Sequence, residues 1–212
     1  MKRTIRRLMV ALVMCCPLWA GAAVFDDILQ AIELDDQRTV AELLKRGVDV
    51  NTTNRQGESL LILAARSGKP AVVQTLLAAR PNLNARNAQG ETALMHAAIK
   101  GRADIVKLLL SAGAEVNHNG WTPLMYAAAT NQMEVARMLI ARGAHVNASA
   151  DNGTTPLMMA AREGHLSMVL LLLEHGADVN YTTPYGYNAL GVAIERDRKA
   201  IAEVLLRAGA RR

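Results

Sequence analysis

Aromatic side chains are scarce in this chain, at 3% of 212 residues, and only one of them is phenylalanine. A core without large rings must be built from the aliphatic and small residues that bring the hydrophobic fraction to 51%, a fraction that also excludes a disordered chain. Small core residues imply closely packed helices. Cysteine is confined to Cys15 and Cys16. Beyond them no thiol is present, which excludes disulfides, thiolate metal sites and cysteine nucleophiles from the rest of the chain. Catalytic signatures are lacking too. There is no Gly-x-Ser-x-Gly elbow, no Gly-Lys-Ser/Thr phosphate loop, no dinucleotide Gly-x-Gly-x-x-Gly and no His-Glu-x-x-His helix. The five histidines, His96, His118, His145, His165 and His175, are dispersed rather than set at ligand spacing. No catalytic residue, metal or cofactor is expected.

The N-terminus is unlike the remainder. Lys2, Arg3, Arg6 and Arg7 precede an apolar stretch from Leu8 to Trp19, broken only by Pro17, and Ala20-Gly21-Ala22-Ala23 supplies small residues. This order predicts a secretory signal peptide over residues 1–23, cut after Ala22 or Ala23, and hence a periplasmic or secreted protein. An uncleaved segment is the alternative. Leu8 to Phe25 holds 18 residues without a charge, near the lower limit for crossing a bilayer, and would anchor the protein in the inner membrane. Four of the 24 basic residues and none of the 19 acidic ones lie before Val24, which leaves 20 against 19 and a net charge of +1. Nucleic-acid binding loses its compositional support, because phosphate neutralisation needs a basic excess.

The rest of the chain repeats itself. Gly57, Gly90, Gly120, Gly153 and Gly186 are spaced by 33, 30, 33 and 33 residues. Gly120-Trp121-Thr122-Pro123-Leu124-Met125 matches Gly90-Glu91-Thr92-Ala93-Leu94-Met95 and Gly153-Thr154-Thr155-Pro156-Leu157-Met158. Leu-rich runs follow, and units close on Gly113-Ala114-Glu115-Val116-Asn117, Gly143-Ala144-His145-Val146-Asn147 and Gly176-Ala177-Asp178-Val179-Asn180. Thr122 and Thr155 stand where a hydroxyl caps a helix, with Pro123 and Pro156 in the first turn. Asn131 and Asp197 occupy places where other units use glycine to end a helix, and both residue types tolerate the left-handed region. The connection between Asn117 and Gly120 is three residues shorter than elsewhere, which predicts a recess in the row of loops.

These motifs resemble the ankyrin-repeat family. The resemblance implies an all-α solenoid of about six helix-turn-helix units joined by β-hairpin-like loops. The expected units are 25–53 as an N-terminal cap, 54–86, 87–117, 118–149, 150–182, and 183–212 as a C-terminal cap. Where the family often carries histidine three residues after the capping threonine, this chain has Met95, Met125 and Met158, so methionine packing is expected instead. Function by resemblance is non-catalytic protein binding through the concave side and the loop tips, by a monomer whose partner is an unidentified protein. The chain is similar to small exported bacterial ankyrin proteins, some linked to stress defence, and a host-directed effector or a membrane-tethered adaptor is the alternative.

Carrying the family's binding positions over gives Arg55, Arg66, Gln89, Lys100, Asn119, Trp121, Arg162, Glu163, Tyr185, Tyr187 and Arg196 as partner-binding candidates, with Glu58 and Glu91 beside them. After Phe25 every aromatic lies beyond residue 120, and exposed Trp, Tyr and Arg are the residue types that most often dominate interface energy. Tyr126 matches a leucine position and is expected in the core.

Overall fold

The computed structural model describes residues 17–211, so the basic start and most of the apolar run of the expected signal segment lie outside the described residues. Among the described residues twelve helices follow one another in six pairs. They are α1 (Pro17–Glu33) with α2 (Gln37–Lys45), α3 (Leu60–Ser67) with α4 (Pro70–Ala78), and α5 (Ala93–Ile99) with α6 (Ala103–Ala112). Then come α7 (Pro123–Ala129) with α8 (Met133–Ala141), α9 (Pro156–Glu163) with α10 (Leu166–Glu174), and α11 (Ala189–Glu195) with α12 (Lys199–Arg207). Among the described residues there is no strand. One isolated antiparallel bridge joins Thr53 to Ser59, and single backbone bonds such as Asn87 N–H to Glu91 O close other hairpin-like loops.

The first helices of the second to sixth pairs start on a local signal. The side chains of Ser59, Thr92, Thr122, Thr155 and Asn188 accept from the backbone N–H three residues on, satisfying one of the free donors of the first turn. Met95 adds a bond the sequence did not suggest, its Sδ accepting from the Thr92 N–H at 3.4 Å. Met95, Met125 and Met158 are otherwise buried, as methionine packing requires. Asn131 and Asp197 do take φ of +57° and +52°, matching the glycines of sister units. Arg80 takes the same conformation at φ +54° with no such aptitude, a strain of about 1 kcal/mol.

Pairs stack because no pair can cover its own apolar faces. Ala64-Ala65, Ala97-Ala98, Ala127-Ala128 and Ala160-Ala161 have no exposed surface, and their small side chains let successive first helices approach closely. Second helices approach each other less, so the row closes on the first-helix side and opens on the other. The first-helix side, with the loop tips, is the concave one. An asparagine ladder ties the units together. The carboxamide oxygens of Asn51, Asn84, Asn117, Asn147 and Asn180 accept from the backbone N–H of Asn82, Glu115, His145, Asp178 and Arg211, at 2.7–3.0 Å. Three of them also donate through Nδ2 to Gly143, Gly176 and Gly209. The asparagines that close the units, four of them after valine and Asn84 after Leu83, are thus the register lock of the stack.

Beside the short connection lies the expected recess, about 360 Å³ lined by Arg86, Asn117, His118 and His145 among others. The His118 ring is packed into the protein with no hydrogen-bond partner on Nε2. Burial, with Arg86 nearby, pushes its pKa down.

Candidate functional site

Three recurring positions build the concave surface. One follows the tip glycine (Glu58, Glu91, Trp121, Thr154, Tyr187). The others lie four and seven residues beyond each helix cap and so share one helix face. They are Leu63, His96, Tyr126, Met159 and Val192, then Arg66, Ile99, Ala129, Arg162 and Glu195. Repetition therefore lines up fifteen side chains, and their chemistry changes along the row.

Over the second to fourth pairs the surface mixes apolar residues such as Leu63, Ile99 and Ala129 with polar groups that satisfy one another. Glu58, only 7% exposed at its side chain, is ion-paired with Arg66 and accepts from Asn54 Nδ2 at 2.7 Å. The next unit repeats the asparagine–glutamate arrangement, with Asn87 Nδ2 donating to Glu91 Oε2 at 3.0 Å. Here no arginine answers the glutamate. His96 Nε2 lies 3.2 Å from Glu91 Oε2, and the Tyr126 hydroxyl donates to Oε1 at 3.0 Å across the unit boundary. Burial opposes ionisation of Glu91, but the bonds from Asn87 and Tyr126, with His96 and Arg66 nearby, outweigh it and hold the carboxyl below its usual range. Burial pushes His96 down, and Arg66 and Lys100 add to this against the pull of Glu91 and Glu58. Burial, then the bond to Glu91, raises the Tyr126 phenol.

Trp121 packs on the Tyr126 ring, centroids 5.3 Å apart and planes inclined by 37°. The contact leaves Trp121 37% exposed. Tyr126 is half-buried: its ring packs against the edge of the core, where Leu63 and Met159 of sister units are buried, and its hydroxyl reaches out to Glu91 of the preceding unit.

Beyond Trp121 the surface becomes apolar and open. Between the last two pairs lies a cavity of about 230 Å³. Met158 and Met159, each 2% exposed, and Val192 close it below. Tyr185 and Tyr187, 75% and 53% exposed, form its outer wall, and Arg162 stands at the side. Asn152, Thr154 and Thr183 complete the lining, which holds no carboxylate.

All eleven residues expected to face a partner are exposed. Only Arg162, Tyr185 and Tyr187 are brought to one cavity. Arg162 Nε also donates to Glu163 Oε1 at 2.9 Å, so those two act as a pair. Arg66 is occupied by Glu58. Arg55, Gln89, Asn119, Lys100 and Arg196 stand on separate tips and helix ends, with no side-chain hydrogen bond or ion pair to one another among the described residues. Glu58 departs from expectation, buried by Asn54 and Arg66 rather than exposed at a tip. Met159 was expected in the core, where it lies 2% exposed, and not at the site; Thr154 and Val192 were not singled out. Their signal was available as register, since each matches a concave position already occupied by His96, Glu91 or Tyr126 in sister units.

Chemically the surface presents contact groups rather than a reacting constellation. Among the described residues, no cluster of three or more His, Cys, Asp or Glu is placed to hold a metal ion, and no helix is long and apolar enough to cross a membrane.

A family model described as ankyrin repeats (3 copies) matches residues 28–120, 61–150 and 143–211. No curated protein sequence matches the chain. Among solved structures, the crystal structure of the human ASB11 ankyrin repeat domain is similar at 25% sequence identity, with a TM-score of 0.79, covering 87% of this chain and 84% of that one. Ankyrin repeats are in general protein-binding scaffolds without catalysis. With the helix pairs, the capped first helices and the asparagine ladder, these matches place the chain in the ankyrin-repeat family.

Proposed function

We propose that this protein is a non-catalytic scaffold that holds a protein partner on its concave side, mainly through the last three units. The observation that carries the reading is the shift along the row from a surface whose polar groups satisfy one another to an open cavity walled by Tyr185, Tyr187 and Arg162. Exposed Tyr and Arg around an apolar hollow supply large contact area at low ordering cost. The stacked units hold that surface in place before binding, so little ordering is spent on association. Capture from a cell-envelope extract, using the parent and a Trp121→Ala/Tyr185→Ala/Tyr187→Ala variant, tests this. A partner retained by the parent and lost by the variant is the expected result; equal retention by both counts against the concave side.

Export belongs to the same reading. Its support is the basic, then apolar, then small-residue order of residues 1–23 and the absence of cysteine from Val24 onward, which suits an oxidising compartment. A periplasmic scaffold with a role in stress defence, acting as a monomer, is the form we favour over a tethered adaptor or a secreted effector. N-terminal sequencing of protein recovered from the envelope should begin at Ala23 or Val24; a chain beginning at Met1 in the membrane fraction points to the tethered adaptor.

A further inference from the structure

The second and fifth units can be compared residue by residue. In the second, Gly57 is followed by Glu58, whose carboxylate pairs with Arg66 seven residues beyond the helix cap. In the fifth, Gly153 is followed by Thr154, and the arginine at the same distance from its cap is Arg162. The fifth unit keeps the arginine and lacks the carboxylate after the tip glycine, the one carboxylate on Arg162 being that of its neighbour Glu163. Arg162 engages Glu163 through Nε alone, and its two terminal amino groups make no hydrogen bond among the described residues. Arg162 is also the single charged residue in the lining of the cavity between the last two pairs, and Glu163, which holds its Nε, is not part of that lining.

We infer that this cavity takes an aromatic side chain of the partner while a carboxylate next to it pairs with Arg162, in the role that Glu58 plays for Arg66. The inference rests on the concave-side reading above and names the chemistry of the partner segment: an aromatic residue beside an acidic one. Size supports it. About 230 Å³ is below the roughly 300–1,000 Å³ of pockets that enclose a drug-sized ligand, and suits one side chain. Lining chemistry supports it as well. The thioethers of Met158 and Met159 are polarisable surfaces that pack well against rings, and Tyr185 and Tyr187 can meet a ring edge-on. A guanidinium binds a carboxylate in a forked geometry that no ammonium group offers. No other unit from the second to the sixth combines these features. Arg66 already gives a terminal amino group to Glu58, whereas Arg162 gives only Nε to Glu163, and the equivalent positions elsewhere are Ile99, Ala129 and Glu195.

The experiment is a titration of the protein, ¹³C-labelled at its methionine methyls, with 3-phenylpropionate, which joins a ring to a carboxylate. Phenethylamine (ring and cation) and propionate (carboxylate alone) are titrated in parallel. We expect 3-phenylpropionate to shift the Met158 and Met159 methyls at millimolar concentration and to bind about tenfold more tightly than either control, a ratio typical of one charge-assisted contact. Two variants should each lose that preference while keeping the parent's thermal midpoint: Arg162→Gln, which removes the cation, and Thr154→Glu, which supplies the protein's own carboxylate as in the second unit. Absence of methyl shifts, equal binding of phenethylamine, or an unchanged preference in both variants would overturn the inference. Its failure is separable from that of the scaffold reading. A partner captured on the concave side by a protein that ignores 3-phenylpropionate sinks only the anchor, whereas a cavity that binds the acid in a protein that captures nothing leaves the anchor standing and removes the scaffold role.

Discussion

Replacing Leu124 by alanine should lower the unfolding free energy by about 3 kcal/mol, among the largest losses available to a single side chain here. Leu124 has no exposed surface in α7, at the middle of the stack, where the third and fifth units cover it from both sides. The helices packed on either side carry the buried pairs Ala97-Ala98 and Ala160-Ala161, whose short side chains can fill little of the space left by the removed atoms. In a solenoid the loss also weakens the coupling of the units on either side. Urea unfolding followed by circular dichroism should therefore show a lower midpoint and a broader transition than the parent. His145→Ala, at an exposed loop position, serves as the control and should stay within about 0.5 kcal/mol of the parent. A Leu124→Ala protein as stable as the parent would mean that the central stack does not carry the fold.

Glu91→Ala is expected to cost about 2 kcal/mol at neutral pH and to make the protein more sensitive to acid. One carboxylate organises Asn87, His96 and Tyr126 from two units, so its removal strands three partly buried polar groups. Its loss sets the pH behaviour in two ways. In the parent, the depressed pKa of Glu91 contributes stability that is present above its ordinary value of 4.5 and fades as pH falls through the folded value. His96 is also depressed, which for a histidine means that the neutral ring is favoured in the fold. Stability is fully present above 6.5 and declines as pH falls from there toward the folded value. His118 adds a decline of the same sign. Glu91 is the strongest force resisting the depression of His96, so without it the folded pKa of His96 drops further and the decline below pH 6.5 steepens. Thermal midpoints of parent and variant between pH 7.5 and pH 5 test this, and parallel curves would contradict it.

Much of this fold was legible before any coordinates, and the physical reason is repetition. Thr122-Pro123 and Thr155-Pro156 write helix starts in backbone chemistry that acts locally. Asn131 and Asp197 could be recognised as stand-ins for glycine because sister units showed where a left-handed residue was needed. The site was less legible. Exposure of Tyr185 and Tyr187 follows from their loop positions, but that they share a hollow with Arg162 depends on packing between units, which no single repeat encodes. Glu58 and Tyr126 show the same limit. A glutamate after the tip glycine is buried in one unit because Arg66 lies over it, and a tyrosine at a leucine-like position turns outward because Glu91 of the preceding unit accepts its hydroxyl. Register told where such residues sit, while the neighbouring unit decided what they touch.

Site-specific photo-crosslinking in cells tests the central claim most directly. A photoreactive residue is placed at position 187, on the outer wall of the cavity, or at position 107, on the exposed side of α6 away from the concave surface. A protein adduct formed from 187 and not from 107 is the result expected of a scaffold that binds on its concave side. An adduct from 107 with none from 187 would contradict the account and move the binding surface to the second helices.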